Sequence, residues 1–180
     1  MSQPNSSHTP TLVTRDGAVL PDGWQLLNDA DDVGGDGPYV LGFERALREL
    51  DGLNDRYGVR IQPADDVRLL EPFLDKIALV EVAFPGFRDG RGYSTARILR
   101  EDLGFTGIVR AVGDVLRDQL HHMLRCGFDE FVVKDADPAG AITSAAKRFS
   151  VAYQGAADDR LPAWQRRLHA EAPASEGRSQ

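Results

Sequence analysis

The segment of this chain richest in potential chemistry is Phe84-Pro85-Gly86-Phe87-Arg88-Asp89-Gly90-Arg91-Gly92-Tyr93-Ser94. Gly86, Gly90 and Gly92 let the backbone turn sharply or approach a ligand closely. Arg88 and Arg91 carry planar donor forks that suit a carboxylate, phosphate, sulfate or sulfite. Tyr93 and Ser94 add hydroxyls at the start of a predicted helix, where unpaired N–H groups favour an anion. The structural alternative is a plain strand-to-helix loop in which Arg88 pairs with Asp89. Arg110, Gly113, Asp114 and Arg117 form a second group. Asp114 either caps the helix that follows or handles a proton beside the two arginines. The ligand-binding candidates are therefore Arg88, Arg91, Gly92, Ser94, Arg110, Gly113 and Arg117. Asp89, Tyr93 and Asp114 are candidates for acid–base work, with no catalytic role assignable from residue type alone.

Three other signatures are incomplete. Gly90-Arg91-Gly92 begins a dinucleotide fingerprint, but Thr95 stands where the third glycine belongs. His122 and Cys126 lie one helical turn apart on a flank of the Leu116, Leu120, Met123, Leu124 stripe, and two ligands do not make a metal site. No Gly-x-Ser-x-Gly elbow occurs. The sequence therefore calls for no metal and no cofactor.

The elements that must position these residues follow from periodicity. Residues 1–10 read as a disordered leader and 156–180 as a mobile tail, leaving 11–155 as one α/β domain. Leu161, Trp164 and Leu168 could form one amphipathic turn in that tail. Residues 12–15 and 18–20, joined by Asp16-Gly17, predict a small hairpin, and residues 29–38 a loop. Apolar spacing at 40, 43, 47 and 50 predicts a helix over 40–50. Strands are expected at 59–61, 77–84, 107–112 and 128–133. Helices are expected at 63–74, 92–103, 115–126 and from Asp137-Pro138 to about Tyr153. This alternation predicts a mainly parallel sheet of β-α units, open or half-barrel-like, with the hairpin at its N-terminus. Ligands of such sheets sit beyond the carboxyl ends of the strands, which points to 84–94, 113–114 and 134–137.

Composition narrows the function classes. The 180 residues carry a net charge of −7, which disfavours nonspecific nucleic-acid binding. Against that acidic background, residues 86–117 hold six arginines and four acids, a local surplus that could attract a small anion. Solvated helix faces with pairs such as Arg97/Glu101 would account for the same residues. The single cysteine, Cys126, rules out an intramolecular disulfide and a four-cysteine cluster held by this chain alone. No apolar run is long enough for a membrane span, and the N-terminus lacks a secretory pattern, so a cytoplasmic protein is expected.

The blocks Phe84-Pro85-Gly86-Phe87, Asp89 through Arg97, Leu99-Arg100, Gly104-Phe105-Thr106-Gly107, Arg110 through Gln119 and Arg125-Cys126-Gly127-Phe128-Asp129 closely resemble one bacterial family. It is the uncharacterised "domain of unknown function nine-three-four" family, and the resemblance spans roughly residues 55–150. Members of that family are commonly encoded beside assimilatory sulfite reductase. The resemblance implies a role in inorganic sulfur assimilation without an established activity. Its characteristic positions fall on Asp89, Gly90, Arg91, Gly92, Tyr93, Ser94, Arg97, Arg110, Gly113, Asp118 and Gln119. The expectation is an accessory protein of sulfate or sulfite reduction that binds a small oxyanion, or partners sulfite reductase or another enzyme of that route. A small oxidoreductase or sulfur-handling enzyme acting at the same strand ends is the first alternative. A non-catalytic interaction module is the second.

Overall fold

The structure, a computed structural model, describes residues 9–33, 37–53, 56–86 and 89–147. Strands β1 (Thr11–Thr14) and β2 (Val19–Leu20) form the expected hairpin, with Leu12 opposite Leu20 and Val13 opposite Val19. Gly17 turns it with φ of 91°, a conformation that glycine adopts without penalty. Strands β3 (Gln25–Leu26), β4 (Tyr39–Gly42), β5 (Tyr57–Ile61), β6 (Ile77–Phe84), β7 (Ile108–Gly113) and β8 (Glu130–Val133) follow. All eight join one sheet in the order β2-β1-β8-β7-β6-β5-β4-β3.

The sheet is mixed rather than mainly parallel, which corrects the expectation drawn from the strand–helix alternation. Neighbours from β3 to β8 pair parallel, but the hairpin is not an appendage. Its β1 lies antiparallel along β8, with Thr11 to Thr14 opposite Val133 to Glu130. That pairing satisfies backbone groups which β8 would otherwise leave bare at an edge.

The connectivity forces the sheet to curl. Strands β2 and β3 stand at opposite edges, yet only residues 21–24 link them. Five Cα–Cα steps reach about 18 Å at most. Seven strand spacings laid flat would need roughly 34 Å. The edges must therefore approach each other in a half-barrel, and residues 21–24 form a strap across the gap.

The helices α1 (Phe43–Glu49), α2 (Arg91–Arg97), α3 (Leu120–Cys126) and α4 (Pro138–Lys147) supply the outer layer. Val80, Val82 and Phe84 of β6 share a core with Ala96, Leu99, Leu120, Met123, Phe128, Phe131 and Ile142. Each such large side chain stabilises the fold by about 1.5–3 kcal/mol. Alternation along the strands turns Leu79, Glu81 and Ala83 to the opposite, concave face.

Several element bounds differ from the sequence reading. The helix expected over 40–50 begins only at Phe43, because Val40 is a strand residue paired with both β3 and β5, and Leu41 is paired with β5. Residues Val67–Lys76 wind as a 3₁₀ helix, not the α-helix expected over 63–74. Pro72 within them has no N–H to donate and crowds the preceding turn. The helix expected over 92–103 is α2 extended by a wider π turn, Ile98–Asp102. The helix expected over 115–126 is a 3₁₀ turn, Arg117–Gln119, leading into α3. At α4 the expectation from Asp137-Pro138 is met: the Asp137 carboxylate accepts from the Gly140 N–H at 3.0 Å. Residues 1–8, the extension of that helix toward Tyr153, and the tail with Leu161, Trp164 and Leu168 lie outside the described residues.

Candidate functional site

Each of four adjacent parallel strands carries one charged residue on the concave face. Arg60 of β5 sits beside Glu81 of β6, Glu81 beside Arg110 of β7, and Arg110 beside Glu130 of β8. Parallel register makes the row, and strand alternation turns all four side chains the same way. The Arg110 Nε and Nη2 groups meet Glu130 Oε2 at 2.8 Å each. Its Nη1 donates to Glu81 Oε1 at 3.2 Å and to Asp22 Oδ1 at 3.0 Å. The other oxygen of Glu81, Oε2, accepts from Arg60 Nε at 2.7 Å and Nη2 at 2.6 Å. Glu81 thus bridges two guanidinium groups with one oxygen for each.

Burial makes this row more than surface pairing. The side chains of Arg110, Glu81 and Glu130 are 2%, 3% and 9% exposed. Removing such charges from water costs several kcal/mol per ion, and only close pairing offsets it. Convergent polar groups beside a cleft are what a small-ligand site requires. Asp22 enters from the strap, and two residues later the Trp24 ring lies over Gly58 of β5. A Cβ on Gly58 would stand 3.3 Å from that ring and 2.8 Å from Val40 Cγ2. The absent side chain therefore seats the strap.

Above the row lies a cavity of about 320 Å³, within the range of small-ligand sites. Asp22, Arg60 and Glu81 are its charged lining. Gln62, Pro85 and Gly113 line its mouth at the carboxyl ends of β5, β6 and β7. Three carboxylates face two guanidinium groups, a formal balance of −1. Among the described residues no three His, Cys, Asp or Glu side chains come together as a metal-holding set, and no helix is long and apolar enough to cross a membrane.

The candidates named from sequence divide between this cup and the helical side. Phe84, Gly113 and Val133 end three neighbouring parallel strands, so the stretches after them leave the same edge of the sheet. Gly113, with φ of 98°, lets the chain turn tightly there, and the next N–H, on Asp114, donates to Phe84 O at 2.7 Å. Gly113 lines the cup, and Arg110 lies behind its lining, bonded to Asp22 and Glu81, in mid-strand rather than at the strand end. Asp89, Arg91, Gly92, Tyr93 and Ser94 turn toward the helices. A Cβ on Gly92 would lie 2.6 Å from the Phe84 ring, so glycine here permits α2 to press against β6. The Tyr93 ring packs 5.4 Å from Phe84 and 4.6 Å from His122, centroid to centroid, and burial raises its phenol pKa. Ser94 is exposed on α2.

Asp89 pairs with Arg91, and Arg88 lies outside the described residues. The Asp89 carboxylate accepts from Arg91 Nε at 2.9 Å, from Nη2 at 2.7 Å and from the Arg91 backbone N–H at 3.2 Å. The side-chain hydrogen bond holds the Asp89 carboxyl below its ordinary pKa and raises that of Arg91. This loop supplies its own anion to its own arginine. Asp114 does not cap the next helix, because the 3₁₀ turn starts at Arg117 behind Leu116. Arg117 Nη1 stands 3.4 Å from Asp135 Oδ1 across the same edge. The buried Cys126 Sγ lies 3.8 Å from His122 Nε2 on the helical side.

The sequence reading missed Arg60, Glu81, Glu130 and Asp22 as site residues. A signal for the first three was present: Val59-Arg60-Ile61, Val80-Glu81-Val82 and Glu130-Phe131 each set a charge within a strand pattern otherwise apolar. Isolated charges on successive buried strands have to face one another or a cleft.

Residues 58–164 match the family described as "Bacterial protein of unknown function (DUF934)". The chain belongs to that family. The matched span opens at Gly58, beneath the Trp24 ring, and includes all four residues of the charged row. The hairpin, the strap with Asp22, β3 and β4 precede it. A search of curated proteins finds no match to the chain.

Proposed function

We propose that this member of the family is an accessory protein of assimilatory sulfate or sulfite reduction that holds a small polar ligand in the cup. The observation carrying the reading is the cavity of about 320 Å³ at the carboxyl ends of the parallel strands, lined by Asp22, Arg60 and Glu81, with Arg110 and Glu130 bonded behind them. Ligand sites of α/β sheets concentrate at that end, and the buried charges give fixed donors and acceptors at no cost of reorganisation. The family resemblance supplies the metabolic setting, with sulfite reductase or another enzyme of that route as the partner. The enclosed position of the charges at the strand ends favours the cup over the Arg91 loop, where Arg91 is 64% exposed and bonded to Asp89.

The test is a deletion strain fed sulfate, sulfite, sulfide or cysteine in turn. Growth on sulfide and cysteine but not on sulfate is the expected pattern. It should be restored by the wild-type gene and not by Arg60→Gln, provided that this variant folds. Undiminished growth of the deletion strain on sulfate would remove the proposed role.

A further inference from the structure

We infer that Asp22 occupies the seat of the ligand's own acidic group: the cup takes a small carboxylate or inorganic oxyanion, which binds by displacing the Asp22 carboxylate from Arg110. This deepens the preceding reading and rests on the cup being the ligand site. Arg110 has three carboxylate partners, and they are not equivalent. Glu81 and Glu130 are strand residues, buried and fixed by the sheet. Asp22 rides on the strap, and its side chain is 44% exposed. Its Oδ1 accepts from Arg110 Nη1 at 3.0 Å and from the Trp24 N–H at 3.1 Å. That is a seat for one acidic oxygen, with one charged and one neutral donor, beside the cavity that Asp22 itself lines. Arg60, 30% exposed, faces the same space and can meet the far side of an incoming anion.

Charge decides the mode of entry. With Asp22 seated, three carboxylates already face two guanidinium groups. An anion that entered beside Asp22 would add a fourth negative group next to three carboxylates, two of them buried, and like charges repel. A monoanion that replaces Asp22 leaves the balance unchanged. Asp22 can yield because a single ion pair holds its half-exposed side chain to Arg110, while the strap itself stays tied to the sheet at Gln25. An internal competitor lowers apparent affinity by the ratio of closed to open states. A charge-assisted contact of which one partner is half exposed sets that ratio at about ten.

The experiment uses the full-length protein carrying Trp164→Phe, which leaves Trp24 as its sole tryptophan. Acetate, sulfite, sulfate and phosphate are titrated at constant ionic strength by calorimetry, with Trp24 emission followed in parallel. Separate arms distinguish a planar carboxylate from pyramidal and tetrahedral oxyanions. In the Asp22→Ala variant at least one of them should bind about tenfold more tightly than in its parent. Asp22→Asn should fall between, and Arg60→Gln should weaken binding. The Trp24 emission of the parent should change on saturation as the Asp22 carboxylate, two residues before it, leaves Arg110. Equal affinity in the parent and both Asp22 variants would overturn the exchange while leaving the cup as a site. No binding of any of the four anions to any variant would overturn both. Tighter binding of methylammonium by the parent than by Asp22→Ala would also overturn it, since Asp22 would then be a ligand for cations.

Discussion

Replacing Arg110 with methionine tests whether the buried row acts as one coupled unit. The substitution keeps much of the volume and removes the guanidinium. Glu130 then loses the Nε and Nη2 contacts at 2.8 Å, and Glu81 keeps only Arg60. Both carboxylates remain at most 9% exposed, so water cannot readily replace what was lost. Breaking a buried pair on one side costs about 3–5 kcal/mol, because an uncompensated charge stays behind. With a urea dependence of about 2 kcal/mol per molar, the unfolding midpoint should fall by roughly 1.5–2.5 M. The assay is equilibrium urea unfolding at pH 7, read by circular dichroism. Adding Glu130→Gln should recover part of the loss, with a coupling of about 1.5 kcal/mol or more in the double-mutant cycle. A midpoint for Arg110→Met within 0.2 M of wild type, or strictly additive effects, would refute the picture of a desolvated, mutually dependent row.

Two further outcomes follow from local geometry. Gly113→Ala should destabilise by about 2–3 kcal/mol in the same assay, since φ of 98° is unfavourable for alanine and its Cβ would lie 2.4 Å from Phe84 O; a loss under about 0.5 kcal/mol would show that the bend relaxes freely. The His122 imidazole is held below its ordinary pKa by burial first, then by Arg125, His121 and Arg97. The unfolded chain takes up that proton near pH 6.5 and the folded chain does not, so stability should decline as pH falls from about 7 toward the folded value and level off beneath it. His122→Asn should therefore lose less stability than wild type between pH 7.5 and 5.5; equal losses would exclude the effect.

Much of the scaffold is written in local pattern. The hairpin shows in Asp16-Gly17, β6 in the run from Ile77 to Phe84, and the start of α4 in Asp137-Pro138, because turn chemistry, double-sided burial and capping act over a few residues. What escaped reading depends on distant partners. Val40 fits a helical stripe as well as a strand, and only the flanking β3 and β5 decide between them. Pro72 was visible, but its turn geometry was not. The site suffered most from this. Residue type pointed to Arg91 and Arg110 as ligand donors, whereas their partners are set by register and chain crossing: Asp89 for one, and Glu81, Glu130 and Asp22 for the other. A charge inside a strand pattern announces that a partner exists, but which one follows only from the order of the strands.

That order also governs how the molecule is assembled. Residues 11–14 bond to 130–133, which are made more than a hundred residues later. Until then the first strand has only its short hairpin mate, and β8's flank has no cover. Closing a loop of that length carries an entropic cost, and pairings so distant in the chain slow folding.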